Sequence, residues 1–218
     1  MKKLMLRIIP LVGMMLILSG CPQDPAEELT IDRRPHVAIL VAEGFHDGEA
    51  YMPYGYLTNQ GIDVTVIGPE IGPVTAYNSD FTIGIERTVN DVSRDEFEAL
   101  IIPGGKAPSV LREDADIVDF VTEFFEDGKI TAAICHGPQV LVTADVLEGR
   151  TITGVSSIKE EIEEAGAEYR DEELVIDDNL ITSRVPDDLD SFSVAISEAV
   201  IEEFDDYVET VLPPQPGM

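Results

Sequence analysis

Cys135, His136, Gly137 and Pro138 stand in a row at the end of an apolar run, Ile130 to Ile134, and they are the residues of this chain best placed to do chemistry. A short, apolar, β-rich segment reads as a buried strand. Glycine then proline reads as a sharp turn into a helix, because glycine permits close approach and proline fits the first helical turn, where its missing N–H is no loss. Such a strand, turn and helix lift Cys135 above the sheet edge in the geometry of a nucleophile elbow. A thiol at a helix N-terminus is expected to ionise readily, its pKa falling from about 8.5 into roughly the 3.5–7.5 range, since unpaired N–H groups and the helix dipole favour an anion. A lone cysteine ending a core strand is also often only a small hydrophobe. Residue chemistry alone leaves both readings open.

The elements that would position this thiol follow from the pattern around it. His36 to Val41 reads as a first strand, Ala42 to Asp47 as its loop, and the helix that starts near Glu49 stops at Gly61. Asp63 to Ile67 is a second strand, and Val74 to Glu86 a β excursion across the sheet edge. Ser93 and Glu96 have capping-box spacing and introduce a short helix before the strand Ala99 to Ile102. Ile117, Phe120, Val121 and Phe124 share one helical face, and Gly128 ends that helix. After the elbow come an acidic helix over 157–165, a strand pair turning at Asp177 to Asn179, and a closing helix from Leu189 to Val208. Leu189, Phe192, Ile196, Ala199 and Val200 line its buried side. Strands alternating with helices predict an α/β fold, a doubly wound, mainly parallel sheet flanked by helices, with reactive groups beyond the carboxyl ends of the strands. The loops Glu43 to Glu49, Gly104-Gly105 and Cys135-His136 would meet there.

Residues 130–141 resemble the elbow of the ThiJ/PfpI family, glutamine amidotransferase-like α/β proteins that include PfpI-type cysteine peptidases and cofactor-free glyoxalases and deglycases. Four further stretches match in the family's order: Val41-Ala-Glu-Gly-Phe-His-Asp-Gly-Glu49, Ile102-Pro-Gly-Gly-Lys-Ala-Pro108, Asp145-Val-Leu-Glu-Gly-Arg150 and Thr182-Ser-Arg-Val-Pro186. Together they span roughly residues 36–205 and imply a flavodoxin-like fold. The resemblance implies that Glu49 hydrogen-bonds the Cys135 thiol, where its plain alternative is an ordinary first-turn carboxylate. An ionised carboxylate there would raise the thiol's pKa, so a thiolate persists only if Glu49 is protonated, and Glu49 is expected to titrate high. Gly104 and Gly105 would turn the chain tightly enough to aim an N–H over Cys135. By resemblance Gly105 and the N–H of His136 form an oxyanion hole, each donor worth roughly 3 kcal/mol of barrier.

The chain also departs from that pattern. His136 is the natural acid or base, and in the peptidase-like subgroup a carboxylate from a neighbouring subunit orients it; here Ser109 stands where that acid is expected. A hydroxyl cannot stabilise imidazolium as a carboxylate does, which sets small carbonyl substrates ahead of peptides. His46 occupies a position where the PfpI subgroup has glutamate, either as a replacement base or as a solvated loop histidine. Val155 stands where relatives carry Tyr or His. Arg184 would either attract an anionic substrate group or tie down the last helix, the second being the expectation, and His36 reads as structural. The resemblance implies no cofactor and a homo-oligomer, dimer or higher. No spacing of His, Cys and carboxylates makes a metal site.

The ends of the chain and its charge carry separate messages. Residues 1–20 place Lys2, Lys3 and Arg7 before an apolar run that ends Leu18-Ser19-Gly20-Cys21. That end resembles a bacterial lipobox, implying cleavage before Cys21, a diacylglyceride on its thiol, and a lipoprotein held extracytoplasmically on the cell envelope. The plain alternative is an uncleaved signal anchor. Residues 21–35 then read as lipidated Cys21 and a tether, 36–208 as the domain, and 209–218 as a tail. With Cys21 lipidated, Cys135 has no disulfide partner. Fourteen basic against 43 acidic residues give a net charge of −29, which excludes nucleic acid and anionic headgroups as partners and reads as halophilic adaptation. A polyanionic cation-binding surface is the alternative. The expected activity is cofactor-free, a Cys135 thiolate attacking the carbonyl carbon of a small aldehyde, a glycated amine or a peptide. The competing class is a non-enzymatic thiol sensor or stress-binding protein of the envelope, using reversible cysteine oxidation.

Overall fold

The computed structural model describes residues 33–211. β1 (His36–Leu40) leads through α1 (Asp47–Asn59) to β2 (Asp63–Gly68). The expected excursion is a hairpin, β3 (Gly72–Thr75) and β4 (Thr82–Ile85), followed by β5 (Arg87–Thr88). β6 (Ala99–Ile102), α2 (Ala107–Leu111), α3 (Ala115–Glu126) and β7 (Ile130–Ile134) come next. α4 (Pro138–Thr143), β8 (Thr151–Ile152), α5 (Lys159–Glu164) and β9 (Glu168–Tyr169) lead to the closing β10 (Leu174–Asp177), β11 (Leu180–Ser183) and α6 (Leu189–Val211).

Seven strands form the central sheet in the order β10-β11-β7-β6-β1-β2-β5, parallel throughout except where β10 turns back against β11. The register sets Ile39 beside Ile101 and Ile102 beside Ala133. β6 and β7 are buried at every residue, which is why they read as continuous apolar runs rather than alternating ones. From β1 the chain crosses to β2 in one direction, and from β6 to β7 in the other. Right-handed crossovers therefore put α1 and α3 on opposite faces. α6 joins α1, and α4 joins α3. Phe45, Phe97, Phe124 and Phe192 are fully buried between these layers, each contributing about 1.5–3 kcal/mol of burial.

The structure adjusts three boundaries. Glu96 does accept the Ser93 N–H at 2.7 Å, but the short helix it introduces is a single 3-10 turn over Arg94–Glu96. Arg33 to Pro35, read as the end of a tether, are tied to the domain by Arg33 to Glu98 (2.5 Å), Arg34 to Asp63 (2.6 Å) and the Asp63 N–H to the Pro35 carbonyl (2.9 Å). α6 continues past Val208 to Val211. The expected signal segment, Cys21, the tether up to residue 32 and the tail from 212 lie outside the described residues.

Candidate active site

β1 lies between β2 and β6, where the direction of chain progression reverses, and doubly wound sheets bind ligands beyond the carboxyl ends of strands at such a point. The three expected loops do converge there. Cys135 follows β7 with φ of 60°, a left-handed conformation that costs a non-glycine residue on the order of 1–3 kcal/mol. It is held from both sides: its N–H donates to the Ser183 carbonyl at 3.1 Å and its carbonyl accepts the Val155 N–H at 3.0 Å. A Cβ on Gly137 would lie 2.2 Å from the Ile102 carbonyl, so this turn admits only glycine. These are the features of the elbow read from the sequence.

Glu49 enters from the first turn of α1 and is fully buried. Its Oε2 accepts the Gly104 N–H at 2.7 Å, while Oε1 is buried without a nitrogen or oxygen partner. A Cβ on Gly104 would sit 2.8 Å from each of Cys135 Cβ, Glu49 Oε2 and the His136 nitrogen, which measures how tightly the three loops close on one another. Gly104→Ala is therefore expected to push these groups apart, with a stability loss of about 1–3 kcal/mol in urea denaturation. Gly105, at φ of +80°, pairs with Phe45 across the two loops, and its N–H together with that of His136 is aimed at the Cys135 sulfur. Both N–H groups therefore stabilise negative charge at the sulfur.

The electrostatics correct one expectation. The thiol does not ionise readily: burial, repulsion from the Glu49 charge and hydrogen bonding to Glu49 push it up to about 12, against the opposing pull of the Gly105 and His136 N–H groups. α4 has only six residues, so its dipole is too short to offset the burial of a group left 8% exposed. Glu49 does titrate high, raised by burial to about 7 against the Gly104 hydrogen bond. Repulsion from Glu49 acts on the sulfur only while the carboxylate is ionised. With the shared proton on Glu49 that opposition is relieved, and a thiolate there would face a carboxylic acid and two amides.

His136 Nδ1 lies 3.3 Å from the sulfur and Nε2 lies 3.4 Å from Ser157 Oγ. Burial lowers its pKa and Glu161 partly restores it. Glu161 is itself held by Gln139 at 2.7 Å and Arg112 at 2.6 Å. Within this chain the hydroxyl at the imidazole is Ser157; Ser109, which stands where the acid of a neighbouring subunit was expected, is exposed on α2. The sequence marks Ser157 only as the start of an acidic helix, and its spacing of four from Glu161 is the one trace of its position there.

The remaining candidates make no side-chain hydrogen bond to Cys135, Glu49 or His136 among the described residues. His46 precedes α1 and packs edge-on against Tyr77 at 5.7 Å, its Nδ1 buried without a hydrogen bond and 3.5 Å from Asp47. Burial lowers its pKa, and Asp47 opposes this. Arg184 grips Asp188, in the 3-10 turn just ahead of α6, with two bonds of 2.9 and 3.1 Å and Asp171 with one of 2.9 Å. His36 bonds Thr65 at 2.8 Å and packs edge-on against Phe97 at the other end of the sheet.

Residues 35–199 match the model of the DJ-1/PfpI family. The chain belongs to that family. It is 40% identical over 153 residues to Deglycase TK1284 of Thermococcus kodakarensis, covering 70% of this chain and 92% of the relative. Protein/nucleic acid deglycase 2 of Escherichia coli is 40% identical over 159 residues, which is 72% of this chain and 92% of that one. YraA of Bacillus subtilis, named as a candidate cysteine protease, is 40% identical over 157 residues, 72% of this chain and 93% of the relative. Among solved structures, a two-domain protein of Anabaena variabilis with DJ-1/ThiJ/PfpI-like and ferritin-like domains superposes with a TM-score of 0.74 at 40% identity, covering 76% of this chain and 48% of that one. Drosophila melanogaster DJ-1beta gives a TM-score of 0.71 at 27% identity, over 81% and 98% of the two chains. These likenesses bear out the mainly parallel, helix-flanked α/β fold.

Proposed function

We propose that this DJ-1/PfpI protein is a cofactor-free cysteine hydrolase of small carbonyl compounds and their amine adducts, with Cys135 as nucleophile. The observation that carries the reading is the fully buried Glu49 carboxyl, raised to about 7 and closed against Cys135 through Gly104. Passing the thiol proton to Glu49 creates the nucleophile without leaving two adjacent charges. Sulfur bonds to the aldehyde carbon of a 2-oxoaldehyde, and the Gly105 and His136 N–H groups take the oxyanion. His136 then moves the proton from the first carbon to the second, giving a thioester, and water cleaves it to a 2-hydroxy acid and free Cys135. One water is consumed and no redox partner is needed. In the carbinolamine adduct of such an aldehyde, sulfur bonds to the same carbon as its C–N bond breaks, the amine leaves with the proton held by Glu49, and the hemithioacetal left on Cys135 follows the same course. The deglycase names of two of the relatives support this order of substrates, and a neutral Ser157 on His136 supports it over peptide cleavage, where a carboxylate would hold the imidazolium. The test is turnover of methylglyoxal, a glycated amine and a small peptide at about 1 M salt, where screening offsets self-repulsion of the acidic chain. Turnover of the peptide alone would overturn the reading.

The reading places the enzyme on the outer side of a membrane. Leu18-Ser19-Gly20-Cys21 supports cleavage before Cys21 and a lipid on its thiol. Two acyl chains, at about 0.8 kcal/mol per buried methylene, would anchor the domain durably. Mass spectrometry of the protein from its native membrane is expected to find an N-terminal Cys21 carrying a diacylglyceride, and Cys21→Ser is expected to release it from the membrane fraction or leave it unprocessed.

A further inference from the structure

Eleven lysines and arginines lie in the described residues, and nine of them are ion-paired. Lys129 caps the Phe97 carbonyl at 2.7 Å. Lys106 alone among them has neither an acidic nor a carbonyl partner for its ammonium, in a chain with 43 acidic residues. Two carboxylates of the facing loop are engaged elsewhere, Glu43 with the Thr75 N–H at 2.9 Å and Asp47 with the Gly48 N–H at 2.6 Å.

The position of that charge is specific. Lys106 follows Gly105, the oxyanion donor, and its own N–H is fixed to the Gly44 carbonyl at 2.8 Å. Its stem runs close against Gly44, where an added Cβ would lie 3.1 Å away. The ammonium sits 5.7 Å from the centre of the Tyr77 ring. Tyr77 is 48% exposed, and its phenol is near enough to Cys135 and Glu49 to feel their charges. A cation and a phenol therefore lie beside the site, the cation on the residue that follows Gly105.

We propose that Lys106 and Tyr77 form an anion subsite, and that the preferred substrates are 2-oxoaldehydes carrying a phosphate at the end away from the aldehyde. This rests on the carbonyl-hydrolase reading. A lysine is a compact point charge with rotatable donors, suited to a phosphate dianion, whereas planar carboxylates are better matched by the arginine fork. The phosphate stays attached throughout, so the reaction remains the addition of one water.

The experiment compares kcat/KM for methylglyoxal and for hydroxypyruvaldehyde phosphate in the full chain, in Lys106→Met and in Lys106→Arg, at the lowest salt that keeps each folded by circular dichroism. The natural chain is expected to favour the phosphorylated aldehyde by about tenfold or more, the scale of one charge-assisted contact. That ratio is expected to collapse in Lys106→Met through KM and to persist in Lys106→Arg. A ratio unaffected by Lys106→Met overturns the subsite. If neither aldehyde is turned over, the hydrolase reading fails instead, and protection of Cys135 from iodoacetamide by 3-phosphoglycerate decides the subsite separately. Protection that survives Lys106→Met, or none in the natural chain, overturns it.

Discussion

Cys135→Ser is expected to lower kcat/KM for every carbonyl substrate by at least about 10⁴-fold, the scale on which removing a nucleophile silences a site whose members act together. Glu49 titrates near 7, within reach of a thiol proton but far below a serine hydroxyl, so the exchange that makes the nucleophile cannot run. The fold is expected to persist. Serine is close in size to cysteine, it meets the same left-handed backbone at φ of 60°, and its hydroxyl has Glu49 within the same closed cluster. Initial rates on methylglyoxal and a glycated amine, beside urea midpoints for both proteins, separate loss of chemistry from loss of structure. A folded Cys135→Ser enzyme that retains turnover would remove Cys135 from the nucleophilic role. Absence of turnover in the natural chain, with peroxide converting Cys135 to sulfenic acid, would favour the thiol-sensor reading.

How much of this is legible in the sequence depends on whether the physics is local. Ile130 to Pro138 announce the elbow because strand burial, the close approach at Gly137 and the first-turn proline are all set within nine consecutive positions. The turn at Asp177 to Asn179 and the stripe from Ile117 to Phe124 are readable for the same reason. Thiol ionisation is not, because it depends on how long α4 runs and how much solvent reaches the sulfur, and both are properties of the packed fold. Glu49 looks in sequence like any first-turn carboxylate; only the resemblance marks it, and only closure against the Gly104 and Cys135 loops buries it. Ser157 reaches His136 across 21 residues through a 3-10 turn, a contact that no periodicity encodes. Lys106 stands inside the stretch Ile102 to Pro108, yet its lack of a carboxylate partner becomes visible only once the other cations have found theirs.

Glu49→Gln is expected to make the protein more stable and less active. The folded pKa of Glu49 is raised from 4.5 to about 7, so between those values the folded state keeps a proton that the unfolded chain has lost. Stability linked to this group is complete below pH 4.5 and is lost as pH rises through 7, a change on the order of 3 kcal/mol. Glutamine presents the same acceptor to the Gly104 N–H and never ionises. The difference in urea stability, variant minus natural chain, is therefore expected to grow from pH 4.5 to about 7 and then level, while the many surface carboxylates cancel in the subtraction. Activity moves the other way. Without an acid to hold the thiol proton, kcat/KM is expected to fall about 10²-fold or more, and the rising limb of the pH profile, near 7 in the natural chain, is expected to shift upward toward the ionisation of the thiol itself. A stability difference flat in pH would show that Glu49 is not buried as a shared acid. An unshifted limb with full activity would show that the thiol loses its proton by another route, and the mechanism would then have to begin from His136.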